Sequence, residues 1–401
     1  DIPLNVQGAT VEIDELEGFD PTKENLTAIP SVTNEQADAI IEKIRQAKRP
    51  VLNAGNGIRI AGAFDVFRRV VDKLGIPVVT GWNSIDLMED EHPLYTGRAG
   101  NMGDRAGNFA VQNSDLLFSV GSRLSIRQVN YDWPAWAKHA FVIMNDIDAE
   151  ELKKPSLHVE MPVWADAKDL LEKLESRLNE KLADGEVLFK GDEWRQVCEK
   201  WKKDYPVVQP KHYEQKSPAN VYAFIKEESR RLNEGQITVV GNGSACVVGG
   251  HGYVIKKGQR FISNSAIASM GYDLPAAIGA CVANKRYCKE TGEKEQDIIC
   301  VTGDGSIQMN LQELQTIIHH QYPIKIFLIN NGGYHSIRQT QNNYFGKPLI
   351  GIGKDSGDLS FPDMAKLAPA YGFPFIRIDS NDALGEGIEK ALSVNGPVIC
   401  E

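Results

Sequence analysis

Val301-Thr302-Gly303-Asp304-Gly305-Ser306 and, twenty-four residues on, Asn330-Asn331-Gly332-Gly333 are the two phrases that determine how this chain is read. The first follows the apolar run 298–301 and the second the apolar run 324–329, with a helical pattern over 311–320 between them. Short apolar strand, helix, short apolar strand predicts a parallel sheet covered on both faces. Ligands of such sheets collect at the carboxyl ends of the strands, which is where Asp304 and Asn331 fall. Gly303 and Gly305 let the backbone turn sharply and approach a ligand closely. Ser306 and the start of the next helix offer a hydroxyl and free amides to an anion. An Asp oxygen, an Asn amide oxygen and a backbone carbonyl are hard ligands that phosphate oxygens and a water would complete to an octahedron around Mg²⁺.

The same alternation runs through the rest of the chain. Strands are predicted at 50–54, 76–80, 116–121 and 141–145, then at 237–240, 297–302, 324–329 and 375–378. Pro397-Val398-Ile399-Cys400-Glu401 is strand-like as well. Ala37, Ile40, Ile41 and Ile44 mark one face of a helix over 33–48, capped by Thr33 or Asn34. Further helices are expected over the Ala63–Leu74 pattern and at 165–182. In the second half they are expected from a Ser217-Pro218 start to 232, and at 271–283, 311–320, 362–371 and 382–394. The division that follows is a connector at 1–32, a first domain at 33–185, a linker at 186–212 marked by Trp194, Trp201 and Pro206, and a second domain at 213–401. The fold class expected is α/β, two three-layer α/β/α domains with mainly parallel sheets.

Length and charge agree with that division. Four hundred and one residues exceed one ordinary core. A formal charge of −10 argues against nucleic acid or an anionic membrane as partner, and no apolar run reaches the roughly 20 residues of a membrane span. The six cysteines (Cys198, Cys246, Cys281, Cys288, Cys300, Cys400) have neither zinc spacing nor a C-x-x-C pair, so reduced thiols in a cytoplasmic protein are expected.

The paired motif resembles the cofactor motif of the thiamine diphosphate-dependent decarboxylases and acetolactate synthases. The resemblance implies that Asp304, Asn331 and the carbonyl of Gly333 hold the metal, usually Mg²⁺, that grips the diphosphate. It extends to Ser269-Met270-Gly271-Tyr272-Asp273-Leu274-Pro275-Ala276-Ala277-Ile278-Gly279-Ala280, which is similar to the segment beneath the thiazolium ring. Met270 would there be the bulky residue that folds the cofactor into its V shape. Gly241-Asn242-Gly243-Ser244-Ala245 is similar to the loop that meets the diphosphate, so Asn242, Gly243, Ser244 and Ala245 join Gly303, Gly305, Ser306, Gly333 and Tyr334 as implied cofactor contacts. His251 is kept out of the catalytic set, while His335 and Arg338 could recognise a carboxylate or a sugar, or simply solvate their loop.

The first half is similar to the middle domain of the same family, through Gly55-Asn56-Gly57, Gly97-Arg98-Ala99-Gly100, Gly121-Ser122-Arg123 and Asp146-Ile147-Asp148. That domain holds FAD in acetolactate synthases and ADP, coenzyme A or nothing in relatives. Gly55, Gly57, Arg98, Arg123, Arg127 and Asp148 are the candidate nucleotide contacts. The implied reaction is decarboxylation of a 2-keto acid such as pyruvate with ligation to a second carbonyl. A keto-sugar acceptor, simple decarboxylation, and a non-catalytic nucleotide-binding fragment are the alternatives. The opening Asp1-Ile2-Pro3-Leu4-Asn5-Val6-Gln7 resembles the last strand of the family's pyrimidine-binding domain, so that domain, with its activating glutamate, is expected to be missing and this chain alone inactive. A homodimer or homotetramer is implied for the intact protein.

Overall fold

The structure is a computed structural model that describes residues 3–20, 23 and 28–401. Its strands are β1 (Pro50–Ala54), β2 (Val78–Thr80), β3 (Tyr95–Arg98), β4 (Leu116–Val120), β5 (Phe141–Asp146) and β6 (Met161–Trp164), then β7 (Ile237–Val240), β8 (Arg260–Ser263), β9 (Ile298–Gly303), β10 (Ile324–Ile329), β11 (Phe375–Ile376) and β12 (Val398–Cys400). They form two six-stranded sheets, in the orders β3-β2-β1-β4-β5-β6 and β11-β12-β10-β9-β7-β8. The pairings along both sheets are parallel. Helices flank each sheet, so the chain is two α/β units, as the alternation predicts.

The period of two along a strand sorts the second unit's core into two layers. Val240, Ile299, Val301 and Phe327 face one apolar cluster, while Val239, Ile298, Cys300, Ile326 and Leu328 face the other. In the first unit the helix Asn34–Gln46 buries Ala37, Ile40, Ile41 and Ile44, and Thr33 closes a reciprocal capping box with Gln36. Asp86, almost fully buried, joins the units: it accepts from Arg59 at 3.1 Å, from Arg260 at 2.9 Å and from the Phe261 amide at 3.1 Å.

Some expectations change. Asp1 and Ile2 lie outside the described residues, and the expected strand end there gives way to one helical turn at Leu4–Gln7, where Val6 and Gln7 donate to the Pro3 carbonyl. The backbone there satisfies itself locally, within the turn. The helix expected from Ser217-Pro218 starts later, at Val221, because Asn220 accepts from the amides of Tyr222 and Ala223 and is the cap. The helix expected to end near 283 runs Asp273–Thr291 and stops at Gly292 in the left-handed region. Within 186–212 lies the helix Asp192–Asp204, which buries Trp194 and Cys198 and donates from the Trp194 indole to the Pro50 carbonyl. All six cysteines are buried and free, and among the described residues no helix is long and apolar enough to cross a membrane.

Candidate functional site

Three adjacent strands deliver three polar loops to one place. β7 and β10 both pair with β9, so Gly241–Ser244, Gly303–Ser306 and Asn330–Tyr334 leave the sheet side by side. Asp304 is buried with its carboxylate split between two turns, one oxygen accepting from Gly305 N at 2.9 Å and the other from Gly333 N at 2.8 Å. Burial pushes its carboxyl above the usual range, and the two amides partly offset this. The turn at Gly333 admits only glycine: φ is +131°, and a Cβ would sit 1.9 Å from the Ile352 carbonyl oxygen.

Asn331 donates to the Ser244 hydroxyl at 3.1 Å, leaving its Oδ1 buried with no partner among the described residues. A buried amide oxygen left unpaired is costly and calls for a donor or a cation. Among the described residues no cluster of three or more His, Cys, Asp or Glu is placed to hold a metal by itself. One carboxylate, one orphan amide oxygen and a nearby carbonyl therefore fit a hard cation whose remaining ligands come from an anionic partner.

A cavity of about 420 Å³ opens on these loops. Asn242, Gly243, Ser244, Met270, Gly303, Asp304, Gly305, Ser306, Asn331, Gly333 and Tyr334 line it, which brings together all but one of the cofactor and metal candidates. Ala245 is the exception, fully buried in the apolar core. Met270 stands on the wall, 40% exposed. Ser306 lines the cavity, yet its hydroxyl is committed: it donates to Asp273 at 2.7 Å and accepts from Gly271 N at 2.9 Å.

Asp273 is the residue that sequence reasoning passed over. Fully buried, it accepts from Thr302 at 2.6 Å and from Ser306, tying the segment that carries Met270 to the loop that carries Asp304. A carboxylate inside the apolar phrase Gly271–Ala280 was the available signal. Arg338 also proves to be spoken for, donating to the carbonyls of Gly332 (2.9 Å) and Asn331 (3.3 Å) and pairing with Asp355 at 3.0 Å. It props the Asn331-Gly332 turn. His335 reaches the cavity, and His251 does not.

The first unit has its own cavity, of about 1010 Å³, at the carboxyl ends of β1, β4 and β5. Gly55, Gly57, Arg123, Arg127 and Asp148 line it. Arg98 does not. It is buried elsewhere, on the carbonyls of His251 and Tyr253. The glycines have a local reason as well, since a Cβ on Gly55 would lie 2.2 Å from the Gly121 carbonyl oxygen. Arg123 pairs with Glu151 at 2.7 Å. Trp82, Arg127 and Ser265 line both cavities, with the Arg127 guanidinium 5.6 Å from the Trp82 ring centroid.

Residues 37–174 match the profile of the thiamine pyrophosphate enzyme central domain, and residues 241–401 match that of the C-terminal TPP binding domain. The chain is 29% identical to a probable acetolactate synthase large subunit of Methanococcus aeolicus, covering 100% of this chain and 66% of that protein. Against the acetolactate synthase large subunit of Cyanidium caldarium it is 31% identical, covering 91% and 59%. Against the isozyme 2 large subunit of Escherichia coli K12 it is 29% identical, covering 100% and 66%. The chain thus spans about three fifths to two thirds of the length of these curated relatives.

Proposed function

Because this chain belongs to the thiamine pyrophosphate enzymes, carrying their central and C-terminal TPP-binding domains, we propose that it serves a thiamine diphosphate- and Mg²⁺-dependent, acetolactate synthase-like reaction: decarboxylation of a 2-keto acid such as pyruvate and ligation to a second carbonyl. The observation that carries the reading is the unpartnered Oδ1 of Asn331 beside the buried Asp304 carboxylate, on neighbouring strand ends of one cavity. Asp304, Asn331 Oδ1 and the Gly333 carbonyl would hold Mg²⁺, and Gly243 and Ser244 would meet the diphosphate. When bound, thiamine diphosphate would supply a nucleophilic ring carbon and an electron sink for loss of CO₂ from a 2-keto acid.

The protein's own part is orientation and exclusion of water. Met270 would press on the cofactor from the cavity wall and fix its bend. Asp273 keeps that wall and the metal loop in register through Thr302 and Ser306. Arg127 is the guanidinium of the cavity lining and suits the substrate carboxylate. Tyr334, packed on Gly305 and edge-on to Phe361 at 5.6 Å, closes one side. The larger cavity would take a nucleotide such as FAD, with Arg123, Arg127 and Asp148 at its rim. The six buried thiols suit a reducing compartment such as the cytoplasm, and the intact protein would act as a homodimer or homotetramer.

Calorimetry with thiamine diphosphate and Mg²⁺ tests the reading, with metal-dependent heat from the chain and none from Asp304→Ala as the expected outcome. Product analysis after feeding pyruvate to the intact protein, with and without keto-acid or keto-sugar acceptors, separates ligation from simple decarboxylation. Flavin absorbance on the purified protein would answer the nucleotide question.

A further inference from the structure

The helix Ser244–Gly252 starts at the candidate cofactor cavity and ends in the boundary between the two units. Its sequence is a poor helix former, because Gly249, Gly250 and Gly252 stand among nine residues. Close packing explains Gly249, where a Cβ would lie 3.2 Å from the Phe261 ring; a Cβ on Gly250 would make ordinary contact, 3.5 Å from the Trp82 ring of the first unit. Such a helix holds its shape through its surroundings rather than its own propensity.

Arg98 supplies one of those holds from the other unit. It stands at the carboxyl end of β3 in the first unit, 5% exposed, and reaches across to donate to His251 O at 2.8 Å and Tyr253 O at 2.5 Å. These are last-turn carbonyls that a helix leaves unpaired, and a cation there also complements the helix dipole. The arginine is itself fixed. Its backbone amide donates to Asp104 at 2.8 Å, and its guanidinium lies 3.6 Å from Asp90. Asp90 in turn accepts from the Ile255 amide and donates its own amide to Ile255 O at 2.9 Å, so the chain just beyond the helix is sewn to the same place.

We infer that Arg98 is a positioning residue: by clamping the C-terminal end of this helix from the other unit, it fixes where Gly243, Ser244 and the first helical amides stand, and so sets the affinity for the diphosphate of the cofactor. The inference rests on the thiamine diphosphate reading for the identity of the ligand, while the clamp itself rests on the contacts. It gives Arg98 a role distinct from the nucleotide contact that its motif suggests.

The test compares Arg98→Met and Arg98→Lys with Leu170→Ala, a core truncation in the first unit, all in the full chain. Hydrogen exchange of the 246–252 amides is measured without ligand, and thiamine diphosphate with Mg²⁺ is titrated by calorimetry. Arg98→Met is expected to speed exchange in the helix and to weaken cofactor binding by about tenfold or more each, the scale of a lost charge-assisted hydrogen bond. Arg98→Lys should recover much of both, and Leu170→Ala should move neither. Unchanged exchange in Arg98→Met, changed exchange with unchanged affinity, or an equal effect from Leu170→Ala overturns the inference. Should Arg98→Met fail to fold, Asp90→Asn must show the same pattern on a smaller scale, and its absence also overturns it. A wild-type chain that binds no thiamine diphosphate defeats the cofactor reading instead, and the exchange measurement alone then judges the clamp.

Discussion

The two cavities sit at equivalent places, the carboxyl rims of two parallel sheets, yet their polar groups are left in different states. In the larger one Arg123 is paired with Glu151, Asp146 accepts from the Asp148 amide, and among the described residues two lining atoms have no partner, Asn145 Oδ1, a neutral acceptor, and the indole N–H of Trp82, which lines both cavities. In the smaller one the unsatisfied oxygen of Asn331 stands beside a buried carboxylate. Asp146, also buried, follows Asn145 on β5 and by the period of two faces the other way, so the Asn145 oxygen asks for a hydroxyl or an N–H. The Asn331 oxygen, next to Asp304, asks for a cation. Similar architecture thus carries different chemistry, and glycine-rich strand ends alone do not tell the two apart.

The sharpest way to break this contrast is to remove one acid and one base. Asp304→Ala should abolish metal-dependent thiamine diphosphate binding, a loss beyond the ~10–100-fold typical of an outer-shell partner, as read by calorimetry. If Arg123→Ala does as much damage, the contrast is wrong. Glycine substitutions come next. Gly333→Ala, with its Cβ 1.9 Å from a carbonyl oxygen, and Gly55→Ala, with its Cβ 2.2 Å from another, should each lower stability by about 2–4 kcal/mol in denaturant titrations. Gly303→Ala, whose Cβ would meet nothing within 4 Å, should leave stability near wild type.

Buried carboxylates extend the comparison. Asp104 in the first unit accepts from Arg98 N and Gly107 N, whereas Glu228 in the second has no partner for either oxygen among the described residues, and burial pushes its carboxyl up to about 8. The folded state keeps this proton at pH values where the unfolded chain has lost it. Its contribution is therefore full below about pH 4.5 and is lost as pH rises towards 8, a fall on the order of 3 kcal/mol by pH 7. Glu228→Met should flatten that slope in melting curves taken from pH 5 to 8, and an unchanged slope would show that another group is responsible. The smallest effect is expected at Arg123, an exposed ion pair whose truncation should change stability by less than about 0.5 kcal/mol.

Central elements of the fold were legible because burial on both faces writes itself as continuous apolar sequence, as in β4, β9 and β10. The strands that pattern reading passed over, β3, β6 and β8, are all edge strands. Edges are shorter and more polar, and Arg98, Pro162 and Arg260 interrupt the apolar signal there. The helix Asp192–Asp204 did carry a signal, Trp194, Cys198 and Trp201 at helical spacing, beneath a dense run of charge. At the candidate site, residue types at strand ends were readable. What they are bonded to was not: the commitment of Ser306 to Asp273, of Arg338 to the Asn331 turn and of Arg98 to a helix 153 residues away arises only when the chain is folded.

Because the strands of the second sheet run the same way, its cavity lies at their carboxyl ends, and the opposite rim of that sheet is clear of it. The segment 291–295, between the helix Asp273–Thr291 and β9, is exposed on that opposite rim. A dye, a spin label or a surface tether attached at Lys294 would report on or immobilise the protein from behind, with a full strand length between the attachment and Asp304.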